Sequence, residues 1–232
     1  MQTNNKLLYE SESLKEAFAA IAHQWRQPLS HINAIVGSID NRLYEQGVAD
    51  PLLSKYLFEI EKITKEMSKS IDNYRGYFHT KDTKSFVKDL ILNVKKSVQY
   101  ILDENDIILE YDIEKELEFL GDAAIMQEIV ITIINNAKDA LISRNIYDPK
   151  IFFKAWREDD FLFIKICDNA GGMTKNVMQK IFEQNFTTKH SSEGTGLGLY
   201  MVKKLLNEKF NAEIDVKNRD NGVCFTLKLP RK

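Results

Sequence analysis

Apolar residues recur at steps of three, four and seven through the first third of the chain: Leu7, Leu14, Phe18, Ile21, Trp25, Ile32, Ile35, Ile39 and Leu43. At about 100° per residue, that spacing lays them along one face of a helix. The stretch EQGVADP breaks the pattern, and Pro51 suits the first turn of a second helix. There Leu53, Leu57, Ile60, Ile63, Met67, Ile71, Tyr74 and Phe78 repeat the spacing. Two long amphipathic helices joined by a short loop predict an antiparallel hairpin. Each stripe then has one partner to cover it. Pairing two hairpins into a symmetric four-helix bundle buries both stripes, so a homodimer is expected.

The pattern changes after the polar segment FHTKDTKS, read as a linker between a first domain over 1–80 and a second over 85–232. Helical and alternating runs then mix. Helices are expected near 86–102, 122–144, 174–181 and 196–209, and strands near 107–111, 116–120, 150–157, 161–168, 212–217 and 222–229. The last two strands read as a hairpin across NRDNG, with DNG as the turn signal. Helices with a mostly antiparallel sheet predict a two-layer α+β domain.

Composition narrows the function classes. Apolar residues make 44% and charged residues 28% of the chain, as in an ordinary soluble globular protein. A net charge of -2 supplies no attraction for nucleic acid or an anionic membrane surface, so no nucleic-acid partner is expected. The N-terminus lacks a signal pattern, and no apolar run approaches the roughly 20 residues of a membrane helix. A cytoplasmic location is expected, with a membrane reached only through a sensor region upstream. Cys167 and Cys224 sit in apolar strand-like runs and are read as two buried thiols rather than a disulfide.

Three stretches of the second half carry residues that packing does not require. In QEIVITIINNAKDAL, Asn135 and Asn136 fall inside a helix although asparagine prefers caps and turns. Either both face solvent, or Asn136 presents its amide oxygen to a hard cation such as Mg²⁺ that keeps water and phosphate oxygens as its other ligands. In FLFIKICDNAGGM, an alternating strand ends at Asp168 before two glycines. Asp168 either caps the following turn or accepts a hydrogen bond from the exocyclic amine of adenine, with the glycines allowing close backbone approach. In EGTGLGLYMVKKLL, Gly194, Gly196 and Gly198 precede an amphipathic helix, whose free N–H groups suit phosphates. The spacing is neither a dinucleotide fingerprint nor a P-loop. Between the last two lies IFEQNFTTKHSSEGTG, flanked by Phe182 and Phe186, which reads as a lid from which Lys189 reaches a phosphate.

In this order, these stretches resemble the ATP-binding domain of the sensor histidine kinases. INNAKDAL is similar to the asparagine box, DNAGG to the first glycine box, IFEQNFTTK to the lid and GTGLGL to the second glycine box; HQWRQPL is similar to the histidine box. The resemblance runs from about Leu14 to Leu229. It implies a dimerisation and phosphoacceptor hairpin followed by an α/β-sandwich ATP-binding domain. It also implies that Asn136 binds Mg²⁺ and Asp168 reads adenine. Gly172, Phe182, Lys189, Gly194, Thr195, Gly196, Leu197 and Gly198 would form the nucleotide pocket and its lid. The chain departs from the family pattern at Ala170, where a glycine is usual, at Thr132, where many relatives carry asparagine, and at Gln24, where many carry an acid.

The same fold resembles ATPase domains that hydrolyse ATP with a glutamate one turn before the metal-binding asparagine. Here that position is Thr132, which cannot take a proton from water, and Glu128 lies a further turn away. The nucleophile is therefore sought outside the pocket. Of the four histidines, His31 and His79 read as solvated and His190 lies in the lid. His23 is two residues from both Ile21 and Trp25, about 200° round the helix from the apolar seam, and so faces away from the core. With an ordinary pKa of about 6.5 it is largely neutral and nucleophilic near neutral pH. Pro28 loosens the adjacent turn. Gln24 can orient the imidazole but cannot take its proton, and Gln27 is the residue placed to position water for dephosphorylating a partner. The expected function is autophosphorylation of His23 and transfer to an aspartate of a response regulator receiver domain. The rival readings are a nucleotide-binding signalling module and an ATPase.

Overall fold

The computed structural model describes residues 28–47, 50–76, 83–189 and 196–231. The chain divides into two compact units, Met1–His79 and Thr80–Lys232. In the first, helix α1 covers 28–45 and helix α2 covers Pro51–Gly76. Gly47 ends α1 with φ +66°, its N–H donating to the Tyr44 carbonyl at 3.1 Å. Asp50 starts α2, its carboxylate accepting from Leu52 N and Leu53 N at 2.9 and 3.1 Å, with Pro51 in the first turn as the sequence predicts. The helices fold back on each other through Leu29, Val36 and Leu57, all buried, and through a half-buried hydrogen bond from Thr64 Oγ1 to Asn33 Oδ1. His31 is exposed, in keeping with its reading as solvated. Among the described residues no helix is long and apolar enough to cross a membrane.

The second unit is an α+β layer pair. A five-stranded sheet has the order β2-β4-β5-β7-β6, from β2 (Ile108–Ile113), β4 (Lys150–Glu158), β5 (Phe161–Asp168), β6 (Glu213–Arg219) and β7 (Gly222–Pro230). β2 runs parallel to β4, and the other neighbours are antiparallel. The long helices α3 (Val87–Asp103), α4 (Ala123–Ser143) and α6 (Gly198–Phe210) cover it; α5 (Lys175–Lys180) is a single short turn of helix. Alternation decides which face they cover. Ile151, Phe153 and Ala155 of β4 point inward, as do Leu162, Ile164 and Ile166 of β5. They meet Ile129, Ile133 and Ile134 of α4 and Leu206 of α6 in one core. Asp122 caps α4 by accepting from Ala124 N at 2.8 Å.

Two expectations are corrected. The polar segment FHTKDTKS is not linker throughout: Lys84 and Ser85 enter a short strand β1 (Lys84–Phe86), antiparallel to β3 (Glu118–Leu120). A three-residue strand carries too little alternation to be read from sequence. The cysteines are not two thiols. Cys167 and Cys224 stand directly opposite in the β5–β7 register, with Cα atoms 4.1 Å apart, and form a disulfide. By the same alternation Cys167 shares a face with Phe163 and Lys165, and Cys224 with Thr226 and Lys228; this is the sheet face away from the helices. Strand pairing, which neither cysteine's neighbours encode, brought the sulfurs together.

Candidate functional site

Helix α4 is the spine of the site, because its side chains touch each of the other stretches singled out in the sequence. Its apolar face docks on the sheet, which leaves Thr132, Asn136 and Asp139 on or beside the opposite face, with Arg144 just past the C-terminal end. Asn136 is half-buried rather than solvated. Its Nδ2 donates to the Thr132 carbonyl at 2.8 Å, which turns Oδ1 outward from the helix. That orientation fits a hard-cation ligand: an amide oxygen presented by a side chain that is itself held in place. Thr132 also packs its methyl under the start of α6, 3.3 Å from where a Cβ on Gly198 would stand. Glu128 is exposed.

Asp168 ends β5 half-buried. Its Oδ1 accepts from Ala170 N at 2.9 Å and from Val223 N at 3.2 Å, so one carboxylate oxygen is committed to holding the loop. Burial pushes its pKa above the ordinary aspartate value, while the two N–H donors and the Arg144 guanidinium pull the other way. The loop after it turns through Gly171 and Gly172, at φ 88° and 81°. Those positive angles lie one and two residues beyond Ala170, which is fully buried and needs no glycine. Arg144, at the end of α4, donates Nη1 to the carbonyls of Ala170 and, at 2.8 Å, of Gly172. On the other side Asn218 pairs with both backbone groups of Met173, at 2.8 and 2.7 Å. Asn169 ties the loop to β4, accepting from Lys150 N at 2.8 Å.

Gly222 has a role different from the turn signal read in DNG. A Cβ there would stand 1.6 Å from the Asp168 carbonyl oxygen, so only glycine lets β7 begin against this loop. The hairpin turn itself uses Asp220 at φ 52°.

On the lid side, Phe182 is half-buried, edge-on to core Phe225 at 6.4 Å between centroids and capped by the Lys203 ammonium at 5.5 Å. Lys189 pairs with Asp139, one turn after Asn136 on α4. Gly196, at φ +65°, passes so close to Asn185 that a Cβ would lie 2.4 Å from its carbonyl carbon. Leu197 precedes α6, which opens at Gly198. Asn136, Asp168, Gly172, Phe182, Lys189, Gly196, Leu197 and Gly198 therefore gather in one unit. Gly194, Thr195 and His190, and in the first unit His23, Gln24, Gln27 and His79, lie outside the described residues. Sequence reasoning missed Asp139, Arg144 and Asn218, and read Gly222 only as part of a turn. Asp139 alone carried a signal, its place three residues after Asn136 on the same helix face.

Comparison with known proteins bears on the fold and the family. Residues 121–232 match the family of histidine kinase-, DNA gyrase B-, and HSP90-like ATPases. The chain is 28% identical over 225 residues to the signal transduction histidine-protein kinase AtoS of Escherichia coli, covering 94% of this chain and 35% of that protein. It is 25% identical over 222 residues to sporulation kinase B of Bacillus subtilis, covering 94% of this chain and 50% of the relative. The chain thus spans about a third and a half of these two relatives. Among solved structures, the catalytic domain of histidine kinase ThkA superposes with a TM-score of 0.58 at 23% identity, over 65% of this chain and 96% of that one. Full-length ShkA, solved with AMPPNP, gives 0.70 at 17% identity over 93% of this chain and 45% of that one. ThkA in complex with the response regulator protein TrrA gives 0.62 at 20% identity, over 100% of this chain and 66% of that one. Residues 121–232 thus carry the histidine kinase-, DNA gyrase B-, and HSP90-like ATPase domain, and the relatives that match 94% of this chain are histidine kinases.

Proposed function

We propose that this chain is an ATP:protein-histidine phosphotransferase that phosphorylates His23 and passes the phosphoryl group to an aspartate on a response regulator receiver domain. The observation that carries the reading is the set of groups around α4. A half-buried carboxylate suited to the adenine amine, an outward-facing amide and glycine-lined backbone meet there, while the position one turn before Asn136 holds Thr132. A threonine hydroxyl is no base at neutral pH, so the site holds a nucleotide without the group that hydrolysis needs. Asp168 and the Gly171–Gly172 turn bind the adenine end; Gly196, Leu197 and Gly198, with Gly194 and Thr195, line the phosphates. Asn136 would hold Mg²⁺, which when bound neutralises charge on the phosphate oxygens.

The imidazole of His23 attacks the γ-phosphorus in line, forming an N–P bond as the bridging P–O bond breaks and ADP leaves. Gln24 orients the ring through a hydrogen bond. Gln27 positions water in the reverse duty, removal of phosphate from the regulator's aspartate. A homodimer follows from the hairpin: Ile32, Ile35 and Ile39 of α1 and Ile60, Ile63 and Met67 of α2 are each about 40% exposed or more in a single chain. That uncovered stripe supports a four-helix bundle of two copies. A cytoplasmic position, alone or as the inner part of a receptor, goes with this reading.

Incubation with γ-labelled ATP tests it. Acid-labile, base-stable label on the wild type, absent from His23→Ala with nucleotide binding intact, is the expected result. Binding without label would make the chain a nucleotide-sensing module, and free phosphate without label an ATPase.

A further inference from the structure

Asp139 lies on α4 one helical turn after Asn136, so the two share a face of the helix. Each oxygen of its carboxylate meets one ammonium: Lys138 Nζ is 3.0 Å from Oδ1, and Lys189 Nζ contacts Oδ2. The two lysines reach it from different places. Lys138 is its neighbour on the helix, whereas Lys189 is 50 residues away, on the segment that runs toward Gly196. Side-chain exposures are 34% for Lys189, 35% for Asp139 and 18% for Lys138, so water reaches the Lys189 pair and exchange of partners is cheap. Were Lys189 to leave, Asp139 would still hold Lys138 and no carboxylate would be stranded. Lys189 is thus a cation on loan to a carboxylate, beside the residue that faces the phosphates.

We propose that Asp139 is the counter-ion from which the terminal phosphate of a bound triphosphate withdraws Lys189, so that this carboxylate sets the preference for ATP over ADP. The inference rests on the ATP-binding reading above. A nucleoside triphosphate carries one phosphoryl group more than a diphosphate, and that group competes with Asp139 for the ammonium. A diphosphate ends short and leaves the Lys189–Asp139 pair closed. Breaking the pair lowers the gain that ATP draws from Lys189 but costs ADP nothing. Asp139 therefore acts as a specificity-determining residue through Lys189, without touching the nucleotide.

The test is a double-mutant cycle on the full chain, measuring Mg²⁺-dependent affinity for AMPPNP and for ADP by calorimetry. In Asp139→Asn, a near-isosteric change at a half-exposed site, Lys189 is free beforehand. AMPPNP binding should tighten roughly three- to fivefold, the scale of an exposed ion pair, with ADP unchanged. Lys189→Met should weaken AMPPNP alone. In the double variant the gain from Asp139→Asn should vanish. A gain that persists without Lys189, or that is equal for ADP, would show a general charge effect and overturn the exchange. Weaker AMPPNP binding in Asp139→Asn would overturn it too, by making Asp139 a support for Lys189. A wild type that binds neither nucleotide removes the ATP reading itself, which is a separate outcome from wild-type binding with no change in Asp139→Asn.

Discussion

Asp168 shows how one side chain carries two duties in conflict. Its Oδ1 fastens the glycine loop through Ala170 N and Val223 N, and burial raises its pKa because a charged carboxylate is poorly solvated there. A raised native pKa means that the native state holds the proton more tightly than the unfolded chain. Stability from this group is present at low pH and is lost as pH rises through the native pKa. Asp168→Asn keeps the size and the Oδ1 acceptor but removes the charge. We expect its Tm to be at or above wild type at neutral pH, with the two converging as acid neutralises Asp168. Nucleotide affinity should fall roughly 10- to 100-fold, the scale of a hydrogen bond to a charged group. Thermal melts and nucleotide titrations across pH check both; a variant less stable than wild type at pH 7 and unchanged in affinity would sink this account. Gly222 belongs to the same scale. Its glycine was legible, its reason was not, since the carbonyl it must avoid lies 54 positions earlier in the chain at Asp168.

At the scale of elements, β5 and β7 form the frame of the proposed adenine end. They supply Asp168 and the Val223 N–H, and the disulfide clips them together one residue from each. A closed loop of this length is worth roughly 2–4 kcal/mol, chiefly by constraining the unfolded chain. Reduction of the full chain, or Cys224→Ser, is therefore expected to lower the Tm of the second unit, with the melting of α1 and α2 little affected. Calorimetry with and without a phosphine reductant, plus a free-thiol count, checks it. The helices were readable almost in full because their faces are periodic: α3 buries Val87, Leu90, Ile91, Val94, Val98 and Leu102, the sequence of steps that predicted it. β1 was not readable, since its three residues exist as a strand only by pairing with β3.

At the scale of the molecule, the hairpin offers a continuous apolar stripe that one chain does not cover. Ile35 is 47% exposed and Ile63 is 55% exposed, and neither supports the contact of Leu29, Val36 and Leu57 that closes the hairpin itself. Ile35→Glu with Ile63→Glu should leave α1 and α2 helical yet convert a dimer to a monomer, read by sedimentation equilibrium and circular dichroism. A wild type that sediments as a monomer would refute the bundle. Among the described residues, spacing marked Ile32, Ile35, Ile39, Leu57, Ile60, Ile63 and Met67 but passed over Leu29 and Val36, which close the hairpin. What spacing did not separate was the half that closes the hairpin from the half that faces outward, because both fall within one helical face.

The amino-acid sequence by itself determined the helices, the long strands, the hairpin with its two capped ends and the order of the nucleotide motifs. These are local: period, caps and turn residues act within a few positions, and their physics is contained in the neighbours. Only the tertiary structure decided that Cys167 meets Cys224, that Arg144 and Asn218 grip the loop after Asp168, and that Lys189 rests on Asp139. Each joins residues 26 to 57 positions apart. Strand register and helix docking set those distances, and they follow from packing the whole core rather than from any one segment.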